Sequence, residues 1–143
     1  MSISEQRLAV LAEAETWLKT PFHYQACVKG CGVACGPFLI AVYNAVGIFV
    51  DANVGHFPPD WHMHTTEERY LDTVRKYARP VESPQPADMV FFRVFKNRPF
   101  CHGGIVVDWP LIIHSADKRC VEYLDVSQTA LGTRERVLLS PWV

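Results

Sequence analysis

Residues 30–47 read GCGVACGPFLIAVYNAVG and pass from a glycine-containing loop into an apolar helix. We predict that this helix begins near Cys35 and ends at Gly47, because glycine commonly follows the last turn of a helix. The N–H groups at a helix start are unpaired and carry positive partial charge, which stabilises a thiolate. The position therefore predicts a lowered pKa for the thiol and makes Cys35 a candidate nucleophile. The alternative is a small buried apolar residue, as most free cysteines are.

The composition describes one folded domain over residues 1–143. Hydrophobic residues make up 49% and aromatic residues 12%, and the net charge is −1, which excludes a disordered chain. We expect no nucleic-acid partner, because no basic excess is present. Residues 30–50 carry no charge, but their first third is a poor helix, so we expect a buried core helix and no membrane span. No signal peptide is apparent, so we expect synthesis in the cytoplasm.

Helices precede strands along the chain. Ser2 and Glu5 form a capping box that opens a helix to about residue 19, with Leu8, Leu11, Ala12, Glu15 and Leu18 at helical spacing. A second box, Thr65 with Glu68, opens a short helix to about residue 77. Short apolar runs predict strands at 89–94, 104–107, 111–114, 120–124 and 136–139. The order predicts an α+β domain with N-terminal helices packed on a small antiparallel sheet.

Two histidines stand at the ends of neighbouring strands. His102 opens the run HGGIVV, His114 closes the run LIIH, and Asp108-Trp109-Pro110 between them is typical of a turn. In a hairpin, a loop with an odd number of residues places both histidines on one face, whereas a two-residue loop places them on opposite faces. On one face they could serve as a base and the group that orients it. The alternative is two satisfied histidines at a sheet edge.

A metal site is the competing chemistry. Cys27, Cys31 and Cys35 recur every four residues, but zinc sites usually combine two closely spaced pairs, so we predict no metal and no cofactor. With Cys101 and Cys120 the cysteines number five, which predicts reduced thiols, and Cys27 and Cys31 are then loop thiols near the cleft. The segment that holds His56, His62 and His64 is predicted to be an exposed loop over the active site.

Six segments together suggest a family. They are TPFHY (20–24), GVACG (32–36), FLIAVY (38–43), PADMVFF (86–92), CHGGIVV (101–107) and IIHS (112–115). In order and spacing, from about residue 8 onward, the chain resembles the NlpC/P60 cysteine peptidases, most closely the compact versions of phage-tail and gene-transfer-agent proteins. The resemblance implies a papain-like fold and hydrolysis of amide bonds in peptidoglycan stem peptides. It also implies Cys35 as nucleophile, His102 as general base and His114 as the orienting residue.

The sequence departs from the family pattern beside the nucleophile. Ala34 replaces the usual aspartate, and Gly36-Pro37 replaces a serine or alanine followed by glycine. Phe22 matches the tyrosine that usually supports the oxyanion but has no hydroxyl, so Tyr24 is the candidate to replace it in substrate binding. Losing one oxyanion donor costs on the order of 10²–10³ in turnover. These departures leave open a structural or binding module on the same fold, associated with phage-tail-like proteins. Delivery to the cell wall by such a particle is what the resemblance implies for localisation.

Overall fold

The computed structural model describes residues 1–49 and 60–142. Within these ranges the helices, in chain order, are α1 (Ile3–Glu15), α2 (Cys35–Ala45) and α3 (Arg69–Arg75). The strands are β1 (Cys27–Val28), β2 (Gly32–Val33), β3 (Arg79–Pro80), β4 (Met89–Arg93), β5 (His102–Asp108), β6 (Leu111–Ser115), β7 (Val121–Asp125) and β8 (Glu135–Ser140). Short 3₁₀ turns lie at Trp61–Met63, Val126–Gln128 and Ala130–Thr133.

Six of these strands form one antiparallel sheet in the order β3-β8-β4-β5-β6-β7, and β1 and β2 form a separate ribbon. Helices α1 and α2 contact each other and both pack against β5. The predicted α+β class with helices on a small antiparallel sheet is confirmed. The five predicted strands are present, whereas the two-residue strands β1, β2 and β3 carry too little sequence pattern to be predicted.

Both faces of the central strands are buried, so successive residues alternate between two apolar layers. Leu39 of α2 packs with Ile105 and Ile113 on the helical face. Val106 and Ile112 lie in the layer on the other face, which Val126 and the 3₁₀ turns that follow β7 cover. A strand face therefore decides which layer a side chain enters. His102 pairs with Phe92 and has the parity of Val106, and His114 has the parity of Ile112, so both histidines lie on the face away from Leu39.

The β5–β6 hairpin contains a bulge that changes its parity. Val106 pairs with Ile112, but the next pair is Asp108 with Leu111, which leaves Val107 as an extra residue. The turn thus has two residues, the length predicted to separate the histidines. The bulge adds one residue to β5, so the residues that separate Val106 from Ile112 number five, an odd count as in an odd loop. His102 and His114 therefore project from the same face of the hairpin. Of the two alternatives that the sequence left open, the structure shows the shared face.

The predicted apolar face of α1 is correct only in part. Leu11 and Leu18 pack against the core, but Leu8 is 68% exposed, and the buried residues are Val10, Ala14 and, just past the helix, Trp17. The small side chain of Ala14 suits the close contact with α2. The helix also ends at Glu15 rather than near residue 19, because the N–H groups of residues 16–18 bond the carbonyl three residues back, as in a 3₁₀ turn, before Lys19 adopts a φ of 70°. Ser2 does cap the helix and accepts the Glu5 N–H at 3.1 Å.

The second predicted capping box, Thr65 with Glu68, does not form. Thr65 Oγ1 accepts the Glu67 N–H, and α3 begins after Glu68 with no side-chain cap. The Glu68 carboxylate instead accepts the Phe100 N–H at 2.9 Å, just before β5. A carboxylate that bonds a distant N–H is unavailable to its own helix, so tertiary structure overrides the local pattern here.

A buried ion pair joins α1 to the start of β4. Arg7 Nη1 lies 2.8 Å from Asp88 Oδ1 and also donates to the Pro86 carbonyl. Asp88 is 1% exposed, and its other oxygen accepts the Gln85 N–H at 2.8 Å. Both charges are therefore paired and hydrogen-bonded, which is the condition under which a buried pair is tolerated.

We expect Arg7→Met to lower the free energy of unfolding by about 3 kcal/mol, because it leaves the Asp88 charge buried without its cation. The matched control is Lys29→Met, which removes the cation from the more exposed Lys29–Glu13 pair and should cost at most about 1 kcal/mol. Urea unfolding of the three proteins measures both values. Equal losses in the two variants would contradict this interpretation.

Candidate active site

Cys35 is the first residue of α2 and follows Ala34, an extended residue without a side-chain cap. Its sulfur lies 3.6 Å from the Cys101 carbonyl oxygen and receives a hydrogen bond from the Gly103 N–H. These two residues flank His102 in the chain. The packing of α2 on β5 therefore brings the sulfur to the main chain on both sides of His102.

Gly103 permits this close packing of α2 on β5, and Gly104 permits close contact with β6. A Cβ on Gly103 would lie 2.9 Å from Leu39 Cδ1 and from Phe91 Cδ1, so no side chain fits between α2 and β5. A Cβ on Gly104 would lie 2.8 Å from Ile112 Cδ1. Neighbouring side chains of the protein occupy the space beside both glycines, so their bare backbone leaves no room there for a substrate chain.

His102 and His114 bond directly to each other. His102 Nε2 lies 2.7 Å from His114 Nδ1, and the rings meet edge to face. His102 also stacks on Phe92. Since Nε2 of His102 is engaged by His114, Nδ1 is the ring nitrogen that remains to accept a proton from another group. His102 and His114 are thus in contact with each other, whereas the contacts described for the Cys35 sulfur, with the Cys101 carbonyl and the Gly103 N–H, include neither imidazole.

The pKa of the Cys35 thiol is raised to about 12, which overturns the sequence prediction of a lowered value. Burial is the largest cause, and Cys101 adds to it, whereas N–H groups of Gly103, Gly36 and Cys35 itself act in the opposite direction. The helix start therefore stabilises the thiolate as predicted, but less than removal from water destabilises it. The thiol is protonated near neutral pH.

Both histidines are neutral near pH 7. Burial, and then the neighbouring His114, lower the pKa of His102 to about 3. Burial, and then the Arg119 charge, lower the pKa of His114 to about 4. A neutral imidazole keeps one ring nitrogen free to accept a proton, so burial preserves the basic form over a wide pH range.

Tyr70 is a neighbour of Cys35 that sequence reasoning missed. Its ring is 4% exposed, and its hydroxyl has no hydrogen bond of ordinary geometry among residues 1–49 and 60–142. Burial raises the Tyr70 pKa well above its ordinary value, and the adjacent Cys35 raises it further. The neutral hydroxyl can thus donate toward a thiolate. No motif marks Tyr70, since its position in α3 follows ordinary core spacing.

The predicted substrate-binding residue Tyr24 lies in the loop between α1 and β1. Its ring is 38% exposed and stacks on His23, with 5.8 Å between ring centroids. Cys27 and Cys31 are both exposed thiols; Cys31 lies in the turn between β1 and β2 as predicted, whereas Cys27 lies in strand β1 rather than in a loop. Cys27 Sγ lies 3.7 Å from the Pro37 carbonyl at the start of α2, so one of the two is near the helix that carries Cys35.

The predicted histidine loop is only partly described. His56 lies outside the described residues. His62 is buried and stacks on Phe95, whereas His64 is exposed and lies 2.9 Å from Asp60. Within the described residues, no group of three or more His, Cys, Asp or Glu side chains is placed to hold a metal ion. None of the helices described is long and apolar enough to cross a membrane.

Comparison with solved structures identifies the fold. No protein-family model and no curated protein matches the chain. The structure is similar to the NlpC/p60 domain of the peptidoglycan hydrolase SagA, with a TM-score of 0.60 and 18% identity over 92% of this chain and 97% of that one. It is also similar to NlpC1 from Trichomonas vaginalis, with a TM-score of 0.69 and 16% identity over 97% of this chain and 44% of that one.

A third similar structure is the peptidoglycan hydrolase RipB from Mycobacterium tuberculosis, with a TM-score of 0.65 and 11% identity over 96% of this chain and 65% of that one. The chain therefore has the fold of NlpC/P60 domains. It spans less than half of the Trichomonas protein's length.

We expect acid to destabilise the protein through the two buried histidines. Unfolding returns each ring to its ordinary pKa of 6.5, so between that value and about 3–4 the unfolded chain binds more protons. The free energy of unfolding should thus fall as pH falls, by up to about 1.4 kcal/mol per pH unit for each ring. Unfolding curves from pH 7 to pH 4 measure this slope.

The double variant His102→Asn/His114→Asn should lose most of the slope, whereas His23→Asn, which changes an exposed ring, should keep it. An unchanged slope in the double variant would show that neither ring is held neutral by the fold.

We expect Tyr70→Phe to raise the Cys35 pKa further, because the variant loses a donor to the thiolate. A hydrogen bond to a charged group is worth roughly tenfold in such an equilibrium. Alkylation of Cys35 by iodoacetamide at pH 9, resolved by peptide mass spectrometry, should slow correspondingly. Tyr123→Phe, which removes a hydroxyl from a half-exposed ring, is the control. Equal rates in the two variants would remove Tyr70 from the environment of the sulfur.

Proposed function

We propose that this chain is a cysteine hydrolase that cleaves amide bonds in the stem peptides of peptidoglycan. Cys35 is the nucleophile, His102 the general base and His114 the residue that orients His102. The observation that carries the proposal is the 2.7 Å bond between His102 Nε2 and His114 Nδ1, on the segment whose main chain contacts the Cys35 sulfur.

The mechanism starts from neutral groups. The thiol pKa of about 12 and the His102 pKa of about 3 disfavour a preformed thiolate–imidazolium pair. The proton therefore passes to His102 Nδ1 as the sulfur attacks the carbonyl carbon. The resulting imidazolium keeps its Nε2–H bond to His114. Unpaired N–H groups at the start of α2 stabilise the developing oxyanion.

Collapse of the tetrahedral intermediate completes acyl transfer. The carbon–nitrogen bond breaks, the leaving amine takes the proton from His102, and the acyl group remains on Cys35 as a thioester. Water, deprotonated by His102, then hydrolyses the thioester and regenerates the thiol. No cofactor is required for these steps.

The substrate class rests on the fold and on the sequence motifs. Two of the similar solved structures, SagA and RipB, are described as peptidoglycan hydrolases. The chain presents a cysteine at a helix start and a paired histidine at the start of a strand, in the order of the motifs of that family. These similarities support a peptidoglycan peptide as the substrate.

The raised thiol pKa favours a second candidate, a binding module that retains the fold without useful turnover. Phe22, which has no hydroxyl to support the oxyanion, also favours this second candidate. The two candidates differ in one observable, the hydrolysis of a stem-peptide amide.

We expect the purified chain to cleave muropeptides released from bacterial cell walls, with products identified by mass spectrometry. Cys35→Ala should abolish cleavage, and His102→Asn should reduce turnover by about 10²–10⁴, the usual contribution of a general base. Cys31→Ala, which removes an exposed thiol, should cleave at the rate of the unaltered protein. Binding without cleavage, or cleavage that survives Cys35→Ala, would reject the catalytic proposal.

A further inference from the structure

His114 has a second ring nitrogen that the mechanism above does not use. Nε2 of His114 is buried and has no hydrogen bond of ordinary geometry among the described residues. The carboxylate of Glu122 is close to it, with Oε2 3.5 Å from Nε2. Burying a ring nitrogen without a hydrogen-bond partner costs free energy, so the position of the nearby Glu122 carboxylate relative to this nitrogen is informative.

Strand register explains the position of this carboxylate. Glu122 of β7 pairs directly with His114 of β6, so the two side chains project from the same face of the sheet. The Glu122 side chain is 18% exposed, and its other oxygen lies 3.0 Å from Arg119 Nη2. The carboxylate is therefore partly withdrawn from water and held from its far side by a cation.

A carboxylate accepts hydrogen bonds and does not donate them, so it favours a proton on His114 Nε2. In a neutral ring this leaves His114 Nδ1 with a lone pair, which can only accept. His102 must then donate from its Nε2 and keep the lone pair on Nδ1. One carboxylate thus decides the proton positions on two rings.

We propose that Glu122 is a positioning residue that fixes the tautomers of His114 and His102 and thereby keeps the Nδ1 lone pair of His102 available. Only the last step, the use of that lone pair to deprotonate Cys35, rests on the proposed function. The tautomers themselves exist in the protein without substrate.

Nitrogen-15 NMR of the histidine side chains tests the tautomers directly. In the unaltered protein at pH 7, Nε2 of both His102 and His114 should show the shift of a protonated nitrogen and Nδ1 that of an unprotonated one. Glu122→Leu, which keeps the bulk and removes the acceptor, should move all four shifts toward intermediate values. Glu122→Asp, which withdraws the carboxylate by one methylene, should move them in the same direction and serves if the leucine variant does not fold.

The control is Glu135→Leu. Glu135 lies on β8, away from the histidines, and its carboxylate accepts a hydrogen bond from Arg93 at 2.6 Å. It should leave the four shifts unchanged. Histidine shifts that are identical in the unaltered, Glu122→Leu and Glu122→Asp proteins would overturn the proposal, as would a proton on Nδ1 of either ring in the unaltered protein.

Kinetics separate this proposal from the proposed function. If both hold, Glu122→Leu lowers kcat on the order of tenfold with little change in KM, because substrate contacts are untouched. Tautomers that respond to Glu122 in a protein without hydrolase activity would reject the function and support the positioning role. Full activity together with unaltered tautomers in Glu122→Leu would support the function and reject the positioning role.

Discussion

The close packing of α2 on β5 is the constraint on which the site depends. It is possible because Gly103 has no side chain, where a Cβ would lie 2.9 Å from Leu39 Cδ1 and from the Phe91 ring. Any larger residue would lift the helix and withdraw the Cys35 sulfur from the main chain beside His102. The same glycine supplies the N–H that bonds the sulfur. The absence of a side chain at position 103 therefore allows both the close packing of the core and the contact of the main chain with the Cys35 sulfur.

Burial and the helix start act on the thiol in opposite directions, and burial is the larger effect. The N–H groups near the sulfur lower its pKa, but the net value is about 12. The histidines respond to the same burial and stay neutral. In the mechanism we propose, both groups start neutral, so proton transfer accompanies attack on the substrate. The bond from His102 to His114, and the carboxylate of Glu122 beside His114, would then orient the base rather than ionise the thiol.

Much of the fold was predictable because it follows local patterns, such as the apolar helix after Cys35 and the short apolar runs that form the strands. The length of the β5–β6 loop was left open by the sequence, and the bulge at Val107 that compensates for the two-residue turn is marked by no residue type. Cys35, His102 and His114 were predicted from their motifs, and the structure brings His102 and His114 into contact. Tyr70 and Glu122 were not predicted, because their places beside Cys35 and His114 depend on helix packing and strand register.

The most direct test of the mechanism is to look for the acyl group on the enzyme. Rapid quenching of the protein with a stem-peptide substrate, followed by peptide mass spectrometry, reports which cysteine carries a thioester. Attack by Cys35 with His102 as base predicts the acyl group on the peptide containing Cys35, and its absence in His102→Asn at the same reaction time. An acyl group on Cys27, Cys31, Cys101 or Cys120, or hydrolysis with no thioester under conditions that stop deacylation, would contradict it.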